Sequence, residues 1–181
     1  DDAAKLDFAN EILGGGSSGR LFQTLRIQKG YTYGAGSGVP SRKEVAPFTI
    51  SSSVRSNATL ASLEIIKEMV ANYGANFTEN EVALTKNKIV KANTRAFESL
   101  NAKLGILTNI DKYGKSLDYI DAEQQILASM ELTDFQDMID TYMQEDKMLY
   151  VVVGDKATQF EEVKKLGKKV VELDIFGNVV D

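Results

Sequence analysis

Leu13-Gly14-Gly15-Gly16-Ser17-Ser18-Gly19-Arg20-Leu21-Phe22-Gln23-Thr24-Leu25-Arg26-Ile27-Gln28-Lys29-Gly30-Tyr31-Thr32-Tyr33 sets two helix ends and a strand start in one short stretch. Ahead of it, Ala4, Leu6, Phe8, Ala9, Ile12 and Leu13 recur at mixed helical spacing, and the glycine run predicts where that helix, Ala3 to Leu13, stops. Ser17 or Ser18 is positioned to cap a second helix carrying Leu21, Phe22, Leu25 and Arg26, which should end at Gly30. From Tyr31 to Gly38 the pattern alternates with period two. It predicts a strand with Tyr31, Tyr33 and Ala35 on one face and Thr32, Gly34, Gly36 and Gly38 on the other. A glycine face implies that backbone or a bulky helix lies close against it.

Working outward, Pro40 to Pro47 reads as a polar turn, and Phe48 to Val54 as a second strand with Phe48, Ile50 and Val54 facing one way. The two strands form a predicted antiparallel hairpin. Asn57 is expected to cap a helix with the stripe Leu60, Leu63, Ile66, Val70 and Tyr73, ended by Gly74. Thr78 with Glu81 forms a capping-box pattern opening a helix from about Asn80 to Ser99, and Thr133 with Gln136 forms another. Helices are also expected over Leu100–Tyr113, Leu117–Ala128 and Thr158–Leu166. Met148 to Val153 is apolar throughout and predicts a strand buried on both faces, turned by Gly154-Asp155; Lys169–Asp174 is the last strand. Strand pairs and helices in separate blocks define an α+β fold: a largely antiparallel sheet with helices packed on one face, as a single domain over residues 1–181.

Composition removes whole classes of chemistry. The 181 residues contain no Cys, so disulfides, thiolate nucleophiles and Cys-ligated metals are excluded; they contain no His, the commonest metal ligand and general base. A net charge of −5 argues against nucleic acid as the main partner. No apolar run approaches the ~20 residues of a membrane-spanning helix. The glycine turn lacks the Gly-Lys-Ser/Thr ending of a phosphate-binding loop and follows a helix rather than a strand. Lys86, Lys88, Lys91 and Arg95 read as a solvated basic face, and the Asn57 and Asn76 matches to a glycosylation pattern as chance.

Arg26 and Tyr33 are the candidate site residues. Arg26 lies in the last turn of a helix and Tyr33 begins the strand after Gly30, so the handover can bring the two to one sheet edge. A guanidinium fork and a phenol are donors suited to a carbonyl oxygen or a developing oxyanion. The competing structural reading has the Arg serving helix-end carbonyls beside a half-buried Tyr.

The quoted stretch resembles the signature of the second homologous domain in the pitrilysin/insulinase family of zinc peptidases, the inverzincins, whose pattern runs leucine and glycines, Ser-Arg-Leu, Leu-Arg, and a Tyr seven positions after that Arg. Arg26 and Tyr33 meet this spacing. The likeness extends through the hairpin, the helix from Asn57, the Thr78–Glu81 start and the Leu149–Val153 strand with Gly154-Asp155. It departs at Gly19, where the family usually has Ser, and in starting at a helix where family domains usually open with a strand.

The resemblance implies the C-terminal, metal-free domain of a zinc metallopeptidase of the processing-peptidase type, cut from a longer chain and inactive alone. Zinc would be held by H-x-x-E-H and a downstream Glu in a partner N-terminal domain or subunit. Arg26 and Tyr33 would stabilise the scissile carbonyl and the domain would help enclose an extended peptide substrate. The sheet would keep an unpaired position, which leaves a homodimer open. The compartment is left open, with a periplasmic or other extracytoplasmic setting favoured. Two other readings remain: a catalytically silent homologue acting as scaffold or assembly subunit, and a free-standing ferredoxin-like peptide-binding module.

Overall fold

A computed structural model describes residues 2–40, 46–95 and 97–180. The expected turn from Pro40 to Pro47 lies for its central part, 41–45, outside the described residues.

Helix α1 (Asp2–Gly14) buries Leu6, Phe8, Ala9, Asn10 and Leu13, residues on more than one side of the cylinder. The mixed apolar spacing has this cause: α1 is a central helix, packed against α7, α4, α6 and the first strand. After the glycine turn, α2 runs over Arg20–Phe22 and continues as a π-helical segment over Gln23–Gln28. Its start corrects the expected serine cap. Gly19 is the N-cap residue and no side chain caps this end. A Cβ at Gly19 would stand 2.9 Å from the Leu13 carbonyl oxygen, which explains the small residue here.

Strands β1 (Thr32–Gly38) and β2 (Thr49–Val54) pair antiparallel, from Gly38↔Thr49 to Thr32↔Val54. The expected hairpin is present, and Ala35, Phe48 and Ile50 pack against the core. The glycine face also meets its neighbour: a Cβ at Gly36 would stand 3.3 Å from the Gly14 carbonyl oxygen at the end of α1. Asn10 reinforces the contact by donating from Nδ2 to the Ser37 carbonyl at 2.9 Å.

Four helices follow α3 (Thr59–Ala71) in close succession: α4 (Glu79–Thr94), α5 (Leu100–Tyr113), α6 (Tyr119–Ser129) and α7 (Leu132–Tyr142). The capping box of Thr78 and Glu81 forms as read, with Glu81 Oε2 accepting from the Thr78 N–H at 2.9 Å. Two other caps differ. A 3₁₀ turn over Ser56–Ala58 precedes α3, so Ala58 rather than Asn57 is its N-cap residue. At α7 the capping box belongs to Glu131 and Asp134, while Gln136 donates to the Gly74 carbonyl. Leu6, Leu13, Tyr73, Phe77, Leu127, Phe135 and Ile139 form the centre of the core, with the Phe77 and Phe135 rings stacked at 5.3 Å.

The C-terminal part corrects the strand expectations. Residues 149–153 belong to no helix or strand, and their backbone makes no hydrogen bond to other backbone among the described residues. Leu149, Val151 and Val153 are 94%, 85% and 96% exposed. The continuous apolar run encodes a segment suited to burial, but burial also needs a neighbouring strand, and none lies beside it among the described residues. Asp155 caps α8 (Lys156–Lys164), and Lys169–Asp174 contributes only an isolated bridge, Leu173↔Val179. The architecture is α+β, with a two-stranded antiparallel sheet. Among the described residues no helix is long and apolar enough to cross a membrane.

Candidate functional site at the start of the hairpin

The π-helical segment makes the handover from helix to strand. Lys29 N–H reaches back to the Thr24 carbonyl at 3.0 Å and Tyr31 N–H to the Leu25 carbonyl at 2.8 Å, wider closures than an α-helix makes. Gly30 then takes φ +64°, a left-handed value that a residue with a Cβ adopts at a cost. Leu25 is fully buried, which anchors the segment and leaves its neighbour Arg26 half-exposed.

Arg26 and Tyr33 come together. The Arg26 guanidinium carbon lies 4.9 Å from the Tyr33 ring centroid, a cation–π contact, and its Nη1 donates to the Thr32 carbonyl at 3.4 Å. No carboxylate pairs with Arg26 among the described residues. Tyr33 is 90% exposed, with its hydroxyl open to solvent. Both side chains thus keep donor groups that the chain itself does not consume.

The position of Tyr33 depends on a β-bulge. Between the pairs Thr32↔Val54 and Ala35↔Ser52, strand β1 has one residue more than β2, so Tyr33 and Gly34 together oppose Ser53. This corrects the expected shared face: Ala35 points to the core and Tyr33 to solvent, because the extra residue shifts the alternation. Thr32, 5% exposed, sits at the bulge with its hydroxyl accepting from Gly34 N–H at 3.0 Å and donating to the Ser53 carbonyl at 2.7 Å. Ser52 Oγ donates to the Gly34 carbonyl at 3.0 Å. Sequence reasoning passed over Thr32, Ser52 and Ser53; the signal available was a Thr one residue before Tyr-Gly, with hydroxyl residues on the facing strand.

The basic face on α4 is exposed at Lys88, Lys91 and Arg95, as expected of a solvated face, and two of its lysines also make contacts. Lys88 pairs with Glu11 and donates to the Gly15 carbonyl at 2.7 Å and to Ser18 Oγ at 3.0 Å, tying the glycine turn to α4. Lys86 donates to the Ala128 carbonyl at 3.0 Å. Among the described residues no group of three or more His, Cys, Asp or Glu is placed to hold a metal ion. A cleft of about 680 Å³ lined by Gly74, Gln136, Asp137 and Asp140 includes neither Arg26 nor Tyr33.

Residues 1–89, the part holding the glycine turn, Arg26, Tyr33 and the hairpin, match the family model described as the peptidase M16 inactive domain. The matched part is a domain of the inactive type of this family, the pitrilysin/insulinase peptidases. It is similar to the peptidase M16 inactive domain from Pseudomonas fluorescens, with 26% identity and a TM-score of 0.70 over 81% of this chain and 35% of that one. A protease from Helicobacter pylori shares the fold, with 18% identity and a TM-score of 0.65 over 80% of this chain and 35% of that one. So does the inactive peptidase domain of a candidate zinc protease from Bordetella parapertussis, with 17% identity and a TM-score of 0.60 over 78% of each chain. The chain thus spans 35% of the length of the first two of these structures. No curated protein matches it.

Proposed function

We propose that this chain is the metal-free half of a zinc metallopeptidase, in which Arg26 and Tyr33 bind the carbonyl of the scissile peptide bond and stabilise the oxyanion that develops there. The observation that carries the reading is the pairing itself: an Arg without a carboxylate partner among the described residues, 4.9 Å over the ring of a Tyr that is 90% exposed. Both groups donate without accepting in these roles. Neither must break an ion pair to meet an incoming oxygen, so little reorganisation opposes the contact.

Zinc does not fit this chain, which has no His and no Cys. The metal and the water it activates belong in the proposal to a counterpart domain bearing H-x-x-E-H. This chain's part is to orient the carbonyl and to help enclose an extended peptide against that counterpart. The match to an inactive-type domain supports such a division of labour.

The test is turnover of the peptidase formed with the H-x-x-E-H-bearing counterpart. Arg26→Ala and Tyr33→Phe are each expected to lower kcat by roughly 10²-fold with folding preserved, the usual consequence of losing one oxyanion donor. Unchanged turnover in both variants would reduce the pair to structural residues.

A further inference from the structure

We propose that Thr32 is the positioning residue of the Arg26–Tyr33 pair, and that it acts through its hydroxyl by holding the bulge that turns Tyr33 outward. The inference rests on the proposed role of that pair and adds a residue outside it.

A bulge leaves the backbone groups of its extra residue without ladder partners, and unpaired backbone groups at a half-buried strand are costly. Here hydroxyls take the partners' place. Gly34 N–H donates to Thr32 Oγ1 at 3.0 Å, Thr32 Oγ1 donates to the Ser53 carbonyl at 2.7 Å, and Ser52 Oγ donates to the Gly34 carbonyl at 3.0 Å. Ser52 Oγ also lies 3.1 Å from Thr32 Oγ1, so the two hydroxyls form one connected group. Both polar groups of Gly34 are thereby satisfied inside the distortion. Without the Thr32 hydroxyl, the regular alternation would move Tyr33 towards the face where Ala35 packs.

The same residue holds the other partner. Arg26 Nη1 donates to the Thr32 carbonyl at 3.4 Å, and the guanidinium carbon lies 4.9 Å from the Tyr33 ring centroid. One buried residue therefore contacts Arg26 through its carbonyl and fixes the bulge carrying Tyr33 through its side chain. A threonine whose role was only packing would need its methyl group and shape, which valine reproduces; the hydroxyl contacts are what valine lacks.

The test uses Thr32→Val and Thr32→Ser in the 181-residue chain, read by the upfield ring-current shift of the Arg26 side-chain protons over Tyr33. The expected result is that Thr32→Val abolishes most of this shift while the Phe77 and Phe135 ring signals stay in place, and that Thr32→Ser restores it. Should Thr32→Val not fold, Ser52→Ala removes one hydroxyl of the same group and is expected to weaken the shift in the same direction. A shift that survives Thr32→Val, is lost in Thr32→Ser, or is unmoved by Ser52→Ala overturns the assignment. In the peptidase formed with its counterpart, Thr32→Val should lower kcat on the order of tenfold with KM little changed, as expected of misplaced donors. Loss of the shift with turnover intact would leave the positioning standing and overturn the role proposed for Arg26 and Tyr33; the two failures are thus distinguishable.

Discussion

Arg20 and Glu81, 61 positions apart in sequence, are joined by a bond of 2.6 Å from the guanidinium Nη2 to Oε1, and the second oxygen of the same carboxylate closes the capping box of α4. Arg20 also donates to the Asn76 carbonyl at 2.8 Å and lies 5.2 Å from the Tyr73 ring, whose hydroxyl donates to the Ala9 carbonyl at 2.7 Å. One carboxylate therefore fastens the start of α2 to α4, and the contact continues through Tyr73 to α1. The Arg26 segment grows directly out of this fastened start.

Replacing Glu81 tests how much the fastening contributes. Glu81→Ala removes a cap interaction of about 1 kcal/mol and a charge-assisted bond, so a loss of about 2–3 kcal/mol is expected in urea unfolding. Glu81→Gln should cost less, because a glutamine can still serve the capping box. A cycle with Arg20→Ala should return a coupling of about 1 kcal/mol or more, since each residue is the other's direct partner.

Two glycines in helices should respond in opposite ways to alanine. At Gly14 a Cβ would collide with the backbone N and the side chain of Ser37, where α1 meets β1. Gly14→Ala should therefore destabilise by about 1–3 kcal/mol, overriding its gain in helix propensity. At Gly105, inside α5, a Cβ would meet nothing within 4 Å, so Gly105→Ala should stabilise by about 1 kcal/mol. Thermal unfolding of the two variants beside the parent chain checks both signs.

The contrast between these glycines shows what was legible in the chain. Local instructions were clear: the Gly14 stop, the Gly30 turn, the Thr78–Glu81 box and the hairpin strands lie where spacing put them. The Arg26–Tyr33 encounter could be anticipated because both ends of the handover are marked by Gly30. What spacing could not supply was anything set by a distant neighbour. The bulge at Tyr33 is bridged by hydroxyls of Ser52 and Thr32 on facing strands, and burial of 149–153 would need a strand beside it. Competing caps are a further case: near α7, Glu131 with Asp134 outcompetes Thr133 with Gln136, because Gln136 is drawn away to the Gly74 carbonyl.

The unpaired segment 149–153 should govern the solution behaviour of the isolated chain. Backbone without hydrogen-bond partners among the described residues, carrying the exposed Leu149, Val151 and Val153, is a template for pairing with other chains. Light scattering at rising concentration is expected to show association, and Val151→Lys to suppress it, since a charge on an edge blocks such pairing. Amides of 149–153 should exchange early in dilute solution, with those of α1 last. A monodisperse parent chain at all concentrations would contradict the expectation.

Acidification should loosen the C-terminal part first, through Glu145. Its carboxylate accepts from Lys168 Nζ at 2.8 Å and from the Tyr150 hydroxyl at 2.7 Å, and the Lys168 ammonium lies 5.0 Å from the Tyr150 ring. The hydrogen bond from Lys168, then that from Tyr150, holds the Glu145 carboxyl below its ordinary value of 4.5. Because the folded value is the lowered one, the unfolded chain binds the proton more readily. The stabilisation is therefore present above about pH 4.5 and is lost as pH falls through the folded value. Glu145→Gln should cost about 1–2 kcal/mol at pH 7, the range of a charge-assisted hydrogen bond. Its difference from the parent should be smaller at a pH below that lowered value, where the parent's own carboxylate becomes protonated. Urea midpoints for the two proteins at both pH values measure this directly, and a difference that stayed constant on acidification would show that charge at Glu145 contributes nothing.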